Sequence, residues 1–414
     1  MSASEDQTVQ RSIALPGLSS NQMSLAAIVV LLGISYMFNA MDRQVFPALL
    51  SAISPHYGLT LPQAGLVSAI FTVTVAIFGA LSGWFMTRFG RKAVLVGGLV
   101  AYSIFTLITR LAGGFLSLAA FRTLTGAGEA LQIGAIYACL GGYFGSRRVT
   151  FMGIIQAFFG LGALLGPVLG TRLFAWSGSW QLSFYVFGLV GISVAAAIAL
   201  AVPRTFSDAR EEPLSEKSSA DVMSDWALTS NVAIGTVAFF LMGMTFFSYT
   251  SLYATFLHDQ LGYSIADSGT ALGMYGLGAI GGAFGGWLGD RLGRMGAACA
   301  FAVLASAGFL MFHVALSPSA QAMLSILFGL SISGFLFARL MSMLQLSVHP
   351  GRIGHVVSMG PGAFYAPGPI AGYMFGKLVT LFGWPSASIV MIVVPVLIAA
   401  LLVCLFDEKK MRTT

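Results

Sequence analysis

Gly83-Trp84-Phe85-Met86-Thr87-Arg88-Phe89-Gly90-Arg91 returns 203 residues later as Gly286-Trp287-Leu288-Gly289-Asp290-Arg291-Leu292-Gly293-Arg294. Both copies stand between long apolar runs. A second, independent match lies at an offset of 202 residues, with Gly166-Pro167-Val168-Leu169-Gly170 answering Gly368-Pro369-Ile370-Ala371-Gly372. One such pair arises by chance. Two pairs at nearly the same offset imply a duplicated unit, so the chain reads as two related halves.

Composition fixes the solvent of those halves. Apolar residues make up 57% of the 414 positions and charged residues 9%, with a mean hydropathy of +0.86. A soluble globule carries about 25% charged residues. A membrane-crossing helix needs about 20 apolar residues. Runs of that kind lie at roughly 24–51, 62–86, 92–112, 115–143, 149–174, 178–202, 229–257, 265–288, 296–316, 319–346, 355–382 and 385–406. The expected fold is therefore an all-α membrane protein of twelve transmembrane helices in two pseudo-symmetric six-helix bundles. A polar stretch at 203–228, with Arg204, Asp208, Arg210, Glu211, Glu212, Glu216, Lys217, Asp221 and Asp225, reads as the linker. The expected division is a cytoplasmic segment 1–23, a first bundle 24–202, the cytoplasmic linker 203–228, a second bundle 229–406 and a cytoplasmic tail 407–414.

The net charge of +6 does not point to nucleic acid, because the basic residues form short clusters between apolar runs. With the N-terminus inside, 15 of the 21 Lys and Arg fall in cytoplasmic segments, only Arg110, Arg172 and Lys377 fall near the opposite face, and Arg43, Arg122 and Arg339 lie within spans. This asymmetry places both termini in the cytoplasm, in a bacterial inner membrane. The first twenty residues lack the pattern of a cleaved leader. Cys139, Cys299 and Cys404 lie in apolar runs without CxxC spacing or histidine partners, so no metal is expected. Neither a zinc-type HExxH, a phosphate loop nor a nucleophile elbow is present, and the loops are too short for a catalytic domain, so no enzyme and no cofactor are expected.

The repeated loop element resembles the cytoplasmic motif G-x-x-x-D-R-x-G-R-[KR] of the major facilitator superfamily, and the resemblance covers nearly the whole chain. It implies a secondary active transporter working by alternating access, monomeric as is usual for that family, with lipid around it. It also implies that Gly83, Arg88, Gly90 and Arg91, with Asp290, Arg291, Gly293 and Arg294, act in conformational gating. The first copy has Thr87 where the family usually has Asp. This calls the first-half latch into question and shifts weight onto Asp290. Bottom-up, glycines let helices approach, and arginines at helix ends bind terminal carbonyls or a neighbouring acid. The plainer alternative for Arg88, Arg91 and Arg294 is topological anchoring.

Two further stretches narrow the resemblance. Asn39-Ala40-Met41-Asp42-Arg43, and Arg122-Thr123-Leu124-Thr125-Gly126-Ala127-Gly128-Glu129-Ala130 as an R-x-x-x-G-x-G-E-A, are similar to the anion:cation symporters and the bacterial spinster-like transporters. Gly153, Gly162, Gly166, Pro167, Gly170 and Thr171 in the fifth span resemble the signature of drug:proton exporters, where a second Gly usually stands in place of Thr171. Physically, Gly166-Pro167 reads either as a hinge with a smooth packing face or as a mark of exchange.

An ion at the bilayer centre costs on the order of 3 kcal/mol even on permissive scales, so intramembrane charges are read first as functional. Asn39, Asp42, Arg43 and Phe46 share one face of the first span by their spacings of three and four. Arg122 and Glu129 share a face of the fourth span, seven residues apart and too distant to bond each other. Adjacent Asp and Arg cannot stand unpaired in hydrocarbon. The topology therefore points to Glu129 facing Arg43, and Arg122 facing Asp42 or the solute. The alternative is a purely structural cluster. Glu129 is the first candidate for proton coupling and Asp42 the second. Burial favours the neutral form of Glu129 and a nearby arginine its charged form, so a changing distance between them would load and release a proton. Arg43, Arg122, Asn39, Gln132, Gln156, Tyr249, Tyr253, Tyr275 and Arg339 are the candidate solute contacts. Each of the Gln and Tyr residues, taken alone, is more often an interhelical hydrogen bond than a ligand contact, and Arg339 either binds the solute or snorkels to the cytoplasmic side.

Three intramembrane arginines against two acids favour an anionic solute, and Arg is well shaped to grip a carboxylate. The function expected is proton-coupled symport of a small organic anion, a carboxylate or sugar acid. The alternative is proton-driven export of an amphipathic drug or lysolipid, supported by the fifth-span signature and by Phe239, Phe240, Phe246, Phe247, Tyr249 and Tyr253 in the second half.

Overall fold

A computed structural model describes residues 24–144, 148–208, 230–348 and 353–407, and for 148–149, 282–291 and 353–358 only the course of the backbone. The expected segments 1–23 and 408–414, and residues 209–229 around the linker, lie outside the described residues. The chain is helical with no strand among those residues.

The first half comprises α1 (Leu25–Ala48), α2 (Leu50–Tyr57), α3 (Leu61–Ala69), α4 (Phe71–Phe89), α5 (Arg91–Ile108), α6 (Phe115–Phe144), α7 (Arg148–Ser177), α8 (Trp180–Ala201) and the turn α9 (Arg204–Ser207). The second comprises α10 (Ser230–Asp259), α11 (Ile265–Ile280), α12 (Gly282–His313), α13 (Pro318–Gly329), α14 (Phe337–Leu346), α15 (Ile353–Tyr365), α16 (Gly368–Ser388) and α17 (Val394–Cys404). Nine helical stretches among the described residues are long and apolar enough to cross a membrane. The last, Met359–Cys404, is a 46-residue run that turns back at Gly383, where φ is +77°. With α6, which carries buried Arg122 and Glu129, and α11 continued by the start of α12, the set is consistent with the twelve spans read from the sequence. Local chemistry starts several helices. Ser24, Ser264 and Ser317 accept from the backbone N–H groups of Ala27, Asp267 and Ala320 at the heads of α1, α11 and α13.

The repeated loop motif makes the same turn twice. Gly90 (φ +85°) reverses the chain between α4 and α5, and Gly293 (φ +55°) reverses it inside α12. A positive φ is open to glycine without steric cost. The glycines were expected to bring helices together, but Gly83 and Gly90 have open space around them and Gly90 serves the turn instead. Arg294 donates from Nη1 to the carbonyls of Cys404 (3.2 Å) and Phe406 (2.7 Å), satisfying the C-terminal end of α17. Arg88 is exposed. The side chains of Asp290 and Arg291 lie outside the described residues. The chain also stays with the first half slightly beyond residue 202. Phe206 of α9 is buried against Tyr143 and Phe144, with ring centroids 4.7 and 6.2 Å away.

Close glycine contacts set the packing. Gly162, Gly166 and Gly170 of α7 lie against Met37, Met41 and Val45 of α1, so the fifth-span signature forms the seat of α1. On α6, a Cβ at Gly126 would overlap the Phe71 carbonyl of α4, and one at Gly128 would meet the Gly98 carbonyl of α5 at 2.6 Å. The two halves meet along α7 with α11 and α3 with α16. Gly160 and Gly276 touch through their backbones there, as do Gly65 and Gly372, while Gly368 lies on Thr72 and Gly376 on Leu61.

Gly126→Val is expected to destabilise the fold by about 1–3 kcal/mol, the usual cost of overpacking a filled site, and to lower the melting temperature of the purified protein in detergent. Gly79→Ala, where nothing lies within 4 Å, should leave that temperature unchanged.

Candidate functional site

The glycine pairs of α6 bring its charged face against α1. Arg122 and Glu129 are each 0% exposed, Asp42 1% and Arg43 4%. Arg43 donates from Nε to Glu129 Oε2 at 2.7 Å, and Arg122 donates from Nη1 to Asp42 Oδ2 at 3.1 Å. Asp42 receives a second bond, from Thr106 Oγ1 on α5 at 2.7 Å. Beside them Asn39 Nδ2 donates to Gln132 Oε1 (2.8 Å) and Gln132 Nε2 to the Ser35 carbonyl (3.0 Å), tying α1 to α6 a second time. Arg122 stands over the rings of Phe46 and Phe71, with its guanidinium carbon 5.0 and 5.7 Å from their centroids.

The two ion pairs differ. Both carboxylate oxygens of Asp42 accept a hydrogen bond. In the other pair Glu129 Oε1 and Arg43 Nη2 are buried without a hydrogen-bond partner, and Arg122 keeps Nε and Nη2 unpartnered. Arg43 is also the member that reaches the second half. Its Nη1 donates to the Tyr365 hydroxyl at 3.2 Å, and its guanidinium carbon lies 5.4 Å from the Phe71 centroid and 5.9 Å from that of Tyr365. Tyr365 ends α15, and Pro367 breaks the helix before α16, whose first turn holds Pro369.

The remaining candidates are distributed more widely. Gln156 accepts from the Tyr137 hydroxyl at 3.2 Å. Tyr137 packs on Tyr36, whose ring in turn meets Phe159. Tyr249 donates to Ser325 Oγ (3.0 Å) and Tyr253 to Gln321 Oε1 (2.8 Å), both fully buried between α10 and α13. Tyr275 is bonded to Ser333 within the wide helical turn Leu330–Leu336. These three tyrosines tie the second half to itself. Arg339 is buried on α14, apart from the α1–α6 cluster. Thr106 and Tyr365 were not singled out from the sequence. The only signal for Tyr365 was its place beside a doubled proline break, and Thr106 had none, since one hydroxyl in an apolar span does not reveal its face. Among the described residues no group of three or more His, Cys, Asp or Glu is placed to hold a metal ion.

A bundle of paired halves with buried ions between its helices is the form of a membrane transporter. The profile described as Major Facilitator Superfamily matches residues 32–366, and the chain belongs to that superfamily. Its apolar helices make it a multi-pass membrane protein. It is 27% identical over 271 residues to a hexuronate transporter of Bacillus subtilis, covering 64% of each chain. It is 28% identical over 163 residues to a niacin transporter of Acinetobacter baylyi, covering 39% of this chain and 37% of that one. It is 26% identical over 404 residues to a probable sulfoacetate transporter of Cupriavidus necator, covering 88% and 89%. The chain thus spans less than two thirds of the length of the first two of these relatives. The fold is similar to that of a bacterial homologue of the lysosomal transporter Spinster in an inward-facing, occupied conformation, with a TM-score of 0.73 at 17% identity over 94% of this chain and 98% of that one. It is also similar to that of a nucleoside transporter, with a TM-score of 0.76 at 12% identity over 92% and 100%.

Removing one member of a buried ion pair strands its partner and typically costs about 3–5 kcal/mol. Asp42→Ala should therefore lower the melting temperature strongly, and adding Arg122→Leu should recover part of the loss. A double variant no more stable than Asp42→Ala alone would show that Arg122 does not depend on Asp42.

Proposed function

We propose that the protein is a proton-coupled symporter of a small organic anion, working by alternating access as a monomer in a bacterial inner membrane. The observation that carries this is the open ion pair. Arg43 Nη2 and Glu129 Oε1 are buried polar atoms without a partner, beside a pair, Asp42–Arg122, whose carboxylate is fully bonded. An incoming carboxylate fits the free N–H of Arg43, and its arrival weakens the hold of Arg43 on Glu129. A Glu129 deprived of its cation in an apolar site favours taking up a proton. Anion and proton then neutralise the site together, which links the two fluxes. Asp42, held by Thr106 and Arg122, fits a fixed anchor better than a proton carrier.

The clustering of Lys and Arg supports both termini in the cytoplasm. With that orientation, the glycine contacts of α3 with α16 and α7 with α11 lie in the outer part of the bundle, which favours a state open toward the cytoplasm. The printed names of relatives supply further support, since hexuronate, sulfoacetate and cis,cis-muconate, a solute of another relative, are organic anions. The exporter alternative loses weight because the fifth-span glycines are engaged as the seat of α1.

In proteoliposomes with acid outside, the unmodified protein should accumulate an organic acid while protons enter. Glu129→Gln should abolish uphill accumulation and retain exchange of labelled for unlabelled solute. Uphill accumulation that survives Glu129→Gln would remove Glu129 from the coupling role.

A further inference from the structure

We infer that the solute is a flat, aromatic or conjugated carboxylate, held at its charged end by Arg43 and along its face by Phe71, Phe247 and Tyr365, rather than a sugar acid. This rests on the anion symport proposed above and goes on to name the class of anion. The first observation is the asymmetry of the two halves. At the 203-residue offset Asp42 and Arg43 correspond to Thr245 and Phe246, and Arg122 and Glu129 to Ser325 and Ile332. The duplicated positions that hold two ion pairs in one half hold no charge in the other.

The second observation is what stands there instead. Phe247 of α10 meets Phe71 of α4 across the boundary at 6.5 Å between centroids, and meets Tyr365 at 5.8 Å. The guanidinium of Arg43 lies over Phe71 on one side and Tyr365 on the other. Phe364 and Phe246 continue the wall at 5.6 and 5.3 Å. The unpartnered Nη2 of Arg43 is thus a carboxylate donor beside an aromatic cluster built from both halves. A planar ring gains offset-stacked or edge contacts with such rings that a saturated ring lacks.

The third observation concerns hydroxyl recognition. A site that selects a polyol presents free hydrogen-bonding side chains, and a polar solute group left unpaired there is penalised. Asn39 Oδ1 and the hydroxyls of Ser248, Ser251 and Thr255 are buried without partners, but the larger polar side chains are bonded. Asn39 Nδ2 is bonded to Gln132, Gln132 to Asn39 and the Ser35 carbonyl, Tyr249 to Ser325, Tyr253 to Gln321 and Tyr275 to Ser333. These larger groups would have to give up bonds to serve the hydroxyls of a sugar acid, and a flat carboxylate asks nothing of them.

The test is binding of tritiated 4-hydroxybenzoate to the purified full-length protein in detergent, with competition by 4-hydroxycyclohexanecarboxylate and by glucuronate, beside proton-driven uptake of each acid in proteoliposomes. The aromatic acid should bind roughly tenfold more tightly than its saturated analogue, as expected for two or so ring contacts, and glucuronate should not displace it. Phe247→Leu should bring that ratio close to one. The competition ratio of the unmodified protein decides the matter by itself if the variant does not fold. Glucuronate or the saturated acid binding as tightly as the aromatic one, with proton-driven uptake of either, overturns the flat solute and leaves anion symport standing. If none of the acids binds or enters with protons, both proposals fall.

Discussion

Ionised side chains in hydrocarbon must be paired or be very costly, and this chain places four of them on two helices. Neutralising them requires α1 and α6 to face each other in one rotational setting, with Arg43 at Glu129 and Arg122 at Asp42. That setting is reachable because glycines stand at the closest approaches of α6 to α4 and α5 and of α7 to α1. Any larger side chain at Gly126 or Gly166 would hold the helices apart and strand the charges. The small-residue pattern and the charged pattern of the first half are thus two parts of one requirement.

The requirement is met unevenly. Asp42 and Arg122 lie inside the first half, with Thr106 completing the carboxylate. Arg43 is shared among Glu129, the rings of Phe71 and Tyr365, and a hydroxyl from the other half. A group with several modest partners exchanges one of them for a ligand more readily than a group held by one complete set. The side chain that spans the boundary also has a donor to spare.

Much of this was legible in the sequence, for definite reasons. Helical runs long enough for a bilayer announce themselves by length, and the repeats at 203 and 202 residues announced the duplication. The spacing of Asn39, Asp42, Arg43 and Phe46, and that of Arg122 and Glu129, fixed which residues share a face. Electroneutrality then narrowed the partners. What a face points at was another matter. Tyr249, Tyr253 and Tyr275 carry the same polarity as a cavity residue, and only their rotation toward α13 and the turn after it makes them internal ties. Tyr365 lies 322 residues from Arg43, and no local pattern joins them. Gly90 and Gly293 looked like packing glycines because composition does not distinguish a close approach from a reversed backbone.

The meeting of Gly65 with Gly372 and of Gly160 with Gly276 has a mechanical meaning. Helices that interlock through large side chains must lift each knob from its socket before they part, and rotamers must repack as they return. Bare backbone against bare backbone has no teeth. Such a seam works as a smooth bearing. Were the halves to part there, few side chains would have to pass through alternative rotamers, and contacts such as Arg43 with Tyr365 and Phe71 with Phe247 would decide when.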